Sequence, residues 1–159
     1  MASDPKLLAV RKTYEVRESE VLEEHRRIEA IVDVRQRAVD EVAAEVAALT
    51  NQIGELRSKK RKDAFARGDS ALLASIDEYE RHLSREREKI TRVLEERSKE
   101  SESAKQRLEQ SHAEVVAVRI ELKKIDTLLE GRAHRSRVVE VAREEVLTDE
   151  MAFYRKPKS

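Results

Sequence analysis

Apolar residues recur along most of this chain at alternating spacings of three and four. The first run passes through Leu7, Tyr14, Val21, Ile28, Val32, Val39, Val42, Val46, Leu49, Ile53 and Leu56, with Arg11, Glu18, His25, Arg35 and Lys60 in the same phase. The second passes through Ile76, Leu83, Ile90, Leu94, Ala104, Leu108, Val115, Val118, Leu122, Ile125 and Leu129, with Glu80, Arg87, Arg97, Ser101 and Ser111 in phase. A repeat sustained this long keeps one stripe on one side of a helix and marks a coiled-coil seam. Between the runs lies Arg67-Gly68-Asp69-Ser70. Gly68 can end a helix in the left-handed conformation, and Asp69 or Ser70 can cap the next one, or Ser75 can do so with Glu78 closing a capping box. Upstream, Ser3-Asp4-Pro5 has the form of a helix start, and no proline follows until Pro157.

These patterns predict an all-α fold: one long antiparallel two-helix coiled-coil hairpin spanning 1–159, with its tip near Gly68. The first helix covers 5–66, the tip 67–70 and the second helix 71–154. At about 1.5 Å per residue, each helix reaches on the order of 90 to 120 Å. With Gly68 at the centre of the turn, residues equally far from it in sequence should face each other. Ile28 then meets Leu108, Val32 meets Ala104, Val21 meets Val115 and Val46 meets Ile90, while the polar breaks coincide, Arg35 with Ser101 and His25 with Ser111. Arg97 opposite Val39 and Arg87 opposite Leu49 need side chains that snorkel outward. In a parallel in-register homodimer Arg35, Arg87 and Arg97 would each face their own copy, so the free chain is expected to be a monomer. The same register sets Asp4 opposite Arg132 and leaves an overhang from about residue 133. That overhang still carries Val138, Val139, Val141, Ala142, Val146, Leu147, Met151, Phe153 and Tyr154, more apolar surface than a solvated helix needs.

Composition narrows the function classes. With 42% charged residues, 3% aromatic residues and three glycines, the chain is built like a long-helix protein rather than a globule with a deep core. Its 33 basic and 33 acidic residues cancel, so no net charge draws it to nucleic acid or an anionic membrane. No apolar run approaches the roughly 18 to 20 residues of a membrane span, and Met1 to Val10 lacks the apolar core of a signal peptide. A cytoplasmic protein without direct membrane insertion is expected. There is no cysteine, hence no disulfide and no thiolate metal site.

Catalytic chemistry finds little footing. Gly54, Gly68 and Gly131 are isolated from one another, so no phosphate-cradling loop can be written. His25, His82, His112 and His134 show no metal-ligand spacing on one helix face, and a two-helix rod offers no pocket to raise a carboxylate pKa. No enzyme activity, catalytic residue, metal or cofactor is expected. Arg57-Ser58-Lys59-Lys60-Arg61-Lys62 is a basic cluster, but no aromatic residues interleave with it as base stacking requires. Asp77 and Glu78 fall across from Lys59 and Lys60, so the cluster reads as structural and nucleic acid is not expected as a partner. Arg67 to Ser70 also spells the integrin-binding tetrapeptide, which a tight turn reproduces by chance.

Two short stretches carry a family resemblance. Leu7-Leu8-Ala9-Val10-Arg11 followed by Val16-Arg17-Glu18 resembles the opening of the YscO-type stalk proteins of bacterial type III secretion. Arg143-Glu144-Glu145-Val146-Leu147-Thr148-Asp149-Glu150, then Arg155-Lys156-Pro157, is similar to the end of their flagellar counterpart FliJ, where a basic residue precedes an Asp-Glu pair and a basic-proline tail. The resemblance implies a non-enzymatic stalk, cytoplasmic and peripheral to the secretion apparatus, whose chain ends insert into the hexameric export ATPase. Leu7, Val10, Tyr14, Val138, Val139, Ala142, Val146, Leu147, Asp149, Glu150, Met151 and Tyr154 would meet the ATPase. The tip, with Phe65, Leu72 and Leu73, would meet the export gate membrane protein, and secretion chaperones are further partners. Whether a virulence, symbiotic or flagellar system is involved does not follow. The alternative is a generic cytoplasmic coiled-coil scaffold or tether that oligomerises through its C-terminal helix.

Overall fold

The computed structural model of the protein describes residues 4–155; Ser3 and Lys156-Pro157 lie outside it. All described residues except Asp4 and 67–69 are helical, and none forms a strand. Helix α1 spans Pro5–Glu55 and passes through a π-helical turn, Leu56–Lys60, into the short α2, Arg61–Ala66. After the turn, α3 runs from Ser70 to Arg155 without interruption. The start of α1 follows from its first two residues: Asp4 Oδ1 accepts from the backbone N–H of Lys6 at 2.9 Å, and Pro5 occupies the first turn, where its missing donor costs nothing.

The turn closes by backbone geometry. Gly68 has φ of +67°, and its N–H donates to Phe65 O at 3.1 Å, while the Asp69 N–H donates to Ala64 O at 3.1 Å. This pair of bonds is the Schellman closure that a left-handed residue permits. Asp69 then caps α3 by accepting from the Leu72 N–H at 3.0 Å. One glycine and one aspartate therefore stop one helix and start the next.

The chain forms two compact units, one built on the stretches up to His25 and from Ser111, the other on Arg26–Gln110. In the second unit Ile53, Leu56, Ala64, Ile76 and Leu83 form a buried cluster, with Leu49 and Leu73 packed against it. Ile28, Ser101 and Ala104 are buried further along, and the Ser101 hydroxyl donates to Gln36 Oε1 at 3.3 Å. Arg35 pairs with Glu100, and Arg57 with Glu80. In the first unit Val115, Val118 and Ile125 are buried, and His25 Nδ1 and Ser111 Oγ share a hydrogen bond of 3.1 Å. Arg11 pairs with Asp126 at 2.6 Å, Glu18 with Arg119 at 3.4 Å, and Asp4 with Arg132. In the first unit, partner numbers in α3 fall from Arg132 through Asp126 and Arg119 to Ser111 as numbers in α1 and the residue before it rise from Asp4 through Arg11 and Glu18 to His25. Each large apolar side chain removed from water along these contacts is worth about 1.5 to 3 kcal/mol.

All the seam positions named from sequence are buried or half-buried except Lys60 and Arg97. Lys60 is displaced by the π turn, in which the Arg61 N–H reaches Leu56 O five residues back. One residue more than a regular turn rotates Lys60 outward and brings Ala64, 1% exposed, onto the buried face. Arg97 turns out to the surface and reaches Glu100 at 3.5 Å.

Candidate functional site

Two surfaces stand out, one in each unit. The first is the end of α3. From Val138 to Tyr154 every side chain is exposed, although this stretch is as rich in apolar residues as the packed helix before it. Val138 is 54% exposed, Val146 57% and Tyr154 85%. Val139, Ala142, Leu147, Asp149, Glu150 and Met151 share this environment. The Phe153 and Tyr154 rings meet edge to face at 6.0 Å, an aromatic pair held in water. Regular helix explains why the side chains fan out: with no proline between Gly131 and Pro157 and no glycine after Gly131, nothing stops α3 once its packed stretch ends.

The start of α1 lies in the same unit. Leu7 and Tyr14 are half-buried, whereas Val10 is 44% exposed. Sequence spacing had set Leu7 and Tyr14 on the seam, and Val10 off it. Leu8 and Val16 are exposed as well and extend the apolar surface around Val10. Arg11 is tied there: its hydrogen bond to Asp126, together with the charges of Asp126 and Glu15, raises its pKa above the ordinary arginine value, so it stays cationic.

The second surface surrounds the turn. Phe65 is 77% exposed and Leu72 41%, while Leu73 is packed on the buried cluster. The structure thus brings Phe65 and Leu72 to the surface and turns Leu73 inward. Beside them lies an open groove of about 390 Å³, lined by Leu56, Lys60, Ala64, Arg67, Leu72 and Tyr79 among others. Tyr79 escaped the reading from sequence because it falls between the seam positions Ile76 and Leu83; its stacking on His82, with ring centroids 6.4 Å apart, keeps it along the helix surface. On another side of the same unit, Arg57 and Arg61 engage Glu80 and Asp77, the latter pair at 3.5 Å. The π turn hands this role to the arginines and leaves Lys59, Lys60 and Lys62 exposed, where sequence spacing had matched Lys59 and Lys60 to the acids.

The hydrogen-bonded pair of His25 and Ser111 lies within the packing, where Ser111 is 5% exposed. Its role is to satisfy a polar layer within the packing. Among the described residues no group of three or more His, Cys, Asp or Glu could hold a metal ion, and no helix is long and apolar enough to cross a membrane. Both surfaces consist of exposed apolar side chains ringed by charge, on continuous helices. No protein-family model, curated protein or solved structure matches the chain.

Proposed function

We propose that the protein is the central stalk of a bacterial type III secretion system, folded as a long antiparallel coiled-coil hairpin. It inserts its chain termini into the pore of the hexameric export ATPase, at the periphery of the cytoplasmic secretion apparatus. The observation that carries this reading is the exposed apolar helix from Val138 to Tyr154, which no other part of the chain covers among the described residues. With Leu7, Val10 and Tyr14 it supplies the ring contact. A rod with unequal faces favours some subunit conformations over others and so couples the ATP cycle around the ring, without chemistry of its own. Phe65 and Leu72, with Leu73 supporting them from below, form the contact with the export gate, and export chaperones bind the same stalk.

The test is ATP hydrolysis by the ring ATPase encoded beside this gene, with the full chain and with the double variant Val139→Asp, Val146→Asp. The full chain should stimulate hydrolysis or ring assembly, and the variant should lose at least about tenfold in apparent affinity, the scale of anchor residues at an interface. Equal binding by both, with helicity retained, would remove the ring contact from this face. The scaffold reading predicts no effect of either protein on hydrolysis.

A further inference from the structure

We infer that the exposed end of α3 is a self-recognition helix: two copies of this chain pair antiparallel through it, about a two-fold axis at Ala142. The inference begins with spacing. Gly131, Arg135, Val138, Ala142, Val146, Asp149 and Phe153 follow one another at intervals of three and four residues, on one stripe, and the order of intervals reads the same in both directions from Ala142. An antiparallel partner centred there sets Ala142 on Ala142, Val138 on Val146, Arg135 on Asp149 and Gly131 on Phe153. Each layer is complementary. Small meets small at the axis, valine meets valine, and a cation meets an anion. At the outer layers the large Phe153, 76% exposed, meets a residue with no side chain, and the space a Cβ would take at Gly131 is open.

The charges set the direction. With Arg132 paired to Asp4, Arg135 and Arg137 outweigh Glu140 in the first part of the stripe's surroundings, and Glu144, Glu145, Asp149 and Glu150 outweigh Arg143 in the last part. A parallel pair would set Arg135 on Arg135 and Asp149 on Asp149, whereas the antiparallel pair sets each against its opposite. Arg135 and Asp149 have no opposite charge three or four residues away on their own helix, so neither is answered within α3. Gly131 gains a reason too. A helix-interior glycine is unfavourable relative to alanine, and here it makes room for the ring of a second copy.

This pairing specifies more than oligomerisation through the C-terminal helix: it gives direction, centre and partners. It occupies the stripe that the stalk reading assigns to the ATPase, so a self-paired form is a resting state that must open before the helix enters a ring. It is read on the isolated chain, and its failure is therefore separate from failure of the stalk reading.

The chain has no cysteine, so single cysteines report cleanly. Full-length Ala142→Cys should form a disulfide-linked dimer under mild oxidation, well above Thr148→Cys, an exposed position off the stripe. Val138→Cys mixed with Val146→Cys should cross-link to each other and poorly to themselves, since like positions lie about 12 Å apart along the axis. Self-linking of Val138→Cys without the mixed product would show a parallel pair and overturn the inference, as would Ala142→Cys linking no better than the control. In sedimentation of the cysteine-free chain, Arg135→Glu should weaken the dimer by about tenfold or more and Arg135→Glu with Asp149→Arg should restore it. A monomer at every concentration up to the solubility limit, or a double swap weaker than the single one, would also overturn it.

Discussion

At the scale of single residues, the turn depends on two positions that do different work. Gly68 supplies a left-handed backbone at φ +67°, and nothing within 4 Å would clash with an added Cβ. Gly68→Ala therefore isolates conformational strain, about 1 to 2 kcal/mol, from any steric effect. Asparagine enters this conformation more readily, so Gly68→Asn should lose less. Asp69→Ala removes the cap on the Leu72 N–H and should cost about 1 kcal/mol. Urea unfolding followed by circular dichroism measures all three. A midpoint for Gly68→Ala equal to that of the parent would mean that the turn does not limit stability. Both positions were legible in the sequence, because glycine and a short carboxylate side by side between two seams have few other uses. The choice of Asp69 over Ser70 or Ser75 as the cap was not legible, since each offers an oxygen and only the path of the backbone selects one.

At the scale of elements, the π turn is the feature that periodicity could not foresee. From Leu56 to Ala64 is one residue more than a heptad, and the wide turn at Leu56–Lys60 absorbs that residue. A reader who keeps counting in threes and fours arrives at Lys60, which the structure turns outward. The signal was present only as a lysine on an apolar stripe, and snorkelling explains such a lysine equally well. Deleting Ser58, which is exposed within the turn, should convert it to regular α-helix and leave Ala64 on the buried face one heptad after Leu56. Deleting Ala48, exposed in regular helix, should rotate everything beyond it by about 100° and break the packing on one side of the cut. Thermal unfolding compares them directly: the Ser58 deletion should melt near the parent, and the Ala48 deletion well below it. Equal losses would mean that the π turn is a required shape rather than an absorbed insertion.

At the scale of the whole molecule, one helix carries two kinds of apolar surface, and their separation was largely readable. The register read from sequence set His25 opposite Ser111 and Asp4 opposite Arg132, and both contacts are present; Arg35, set opposite Ser101, instead pairs with Glu100, while Ser101 bonds to Gln36. Periodicity names no partner for Val138 to Tyr154, because an apolar stripe carries no record of what packs on it. The distinction between the two surfaces can be tested by making the same chemical change on each. Ile125, 7% exposed, packs within its unit, whereas Val139 and Val146 are 49% and 57% exposed. Ile125→Asp places a carboxylate at a buried apolar position and should lower the melting temperature of that unit sharply. Val139→Asp and Val146→Asp should cost about 0.5 kcal/mol each, the scale of helix propensity and of surface substitutions. Helicity and melting, measured at a concentration low enough to dissociate any self-pair, should therefore separate the variants. If the Val139, Val146 double variant melted as low as Ile125→Asp, the end of α3 would be part of the folded core, and neither a ring nor a second copy could claim it.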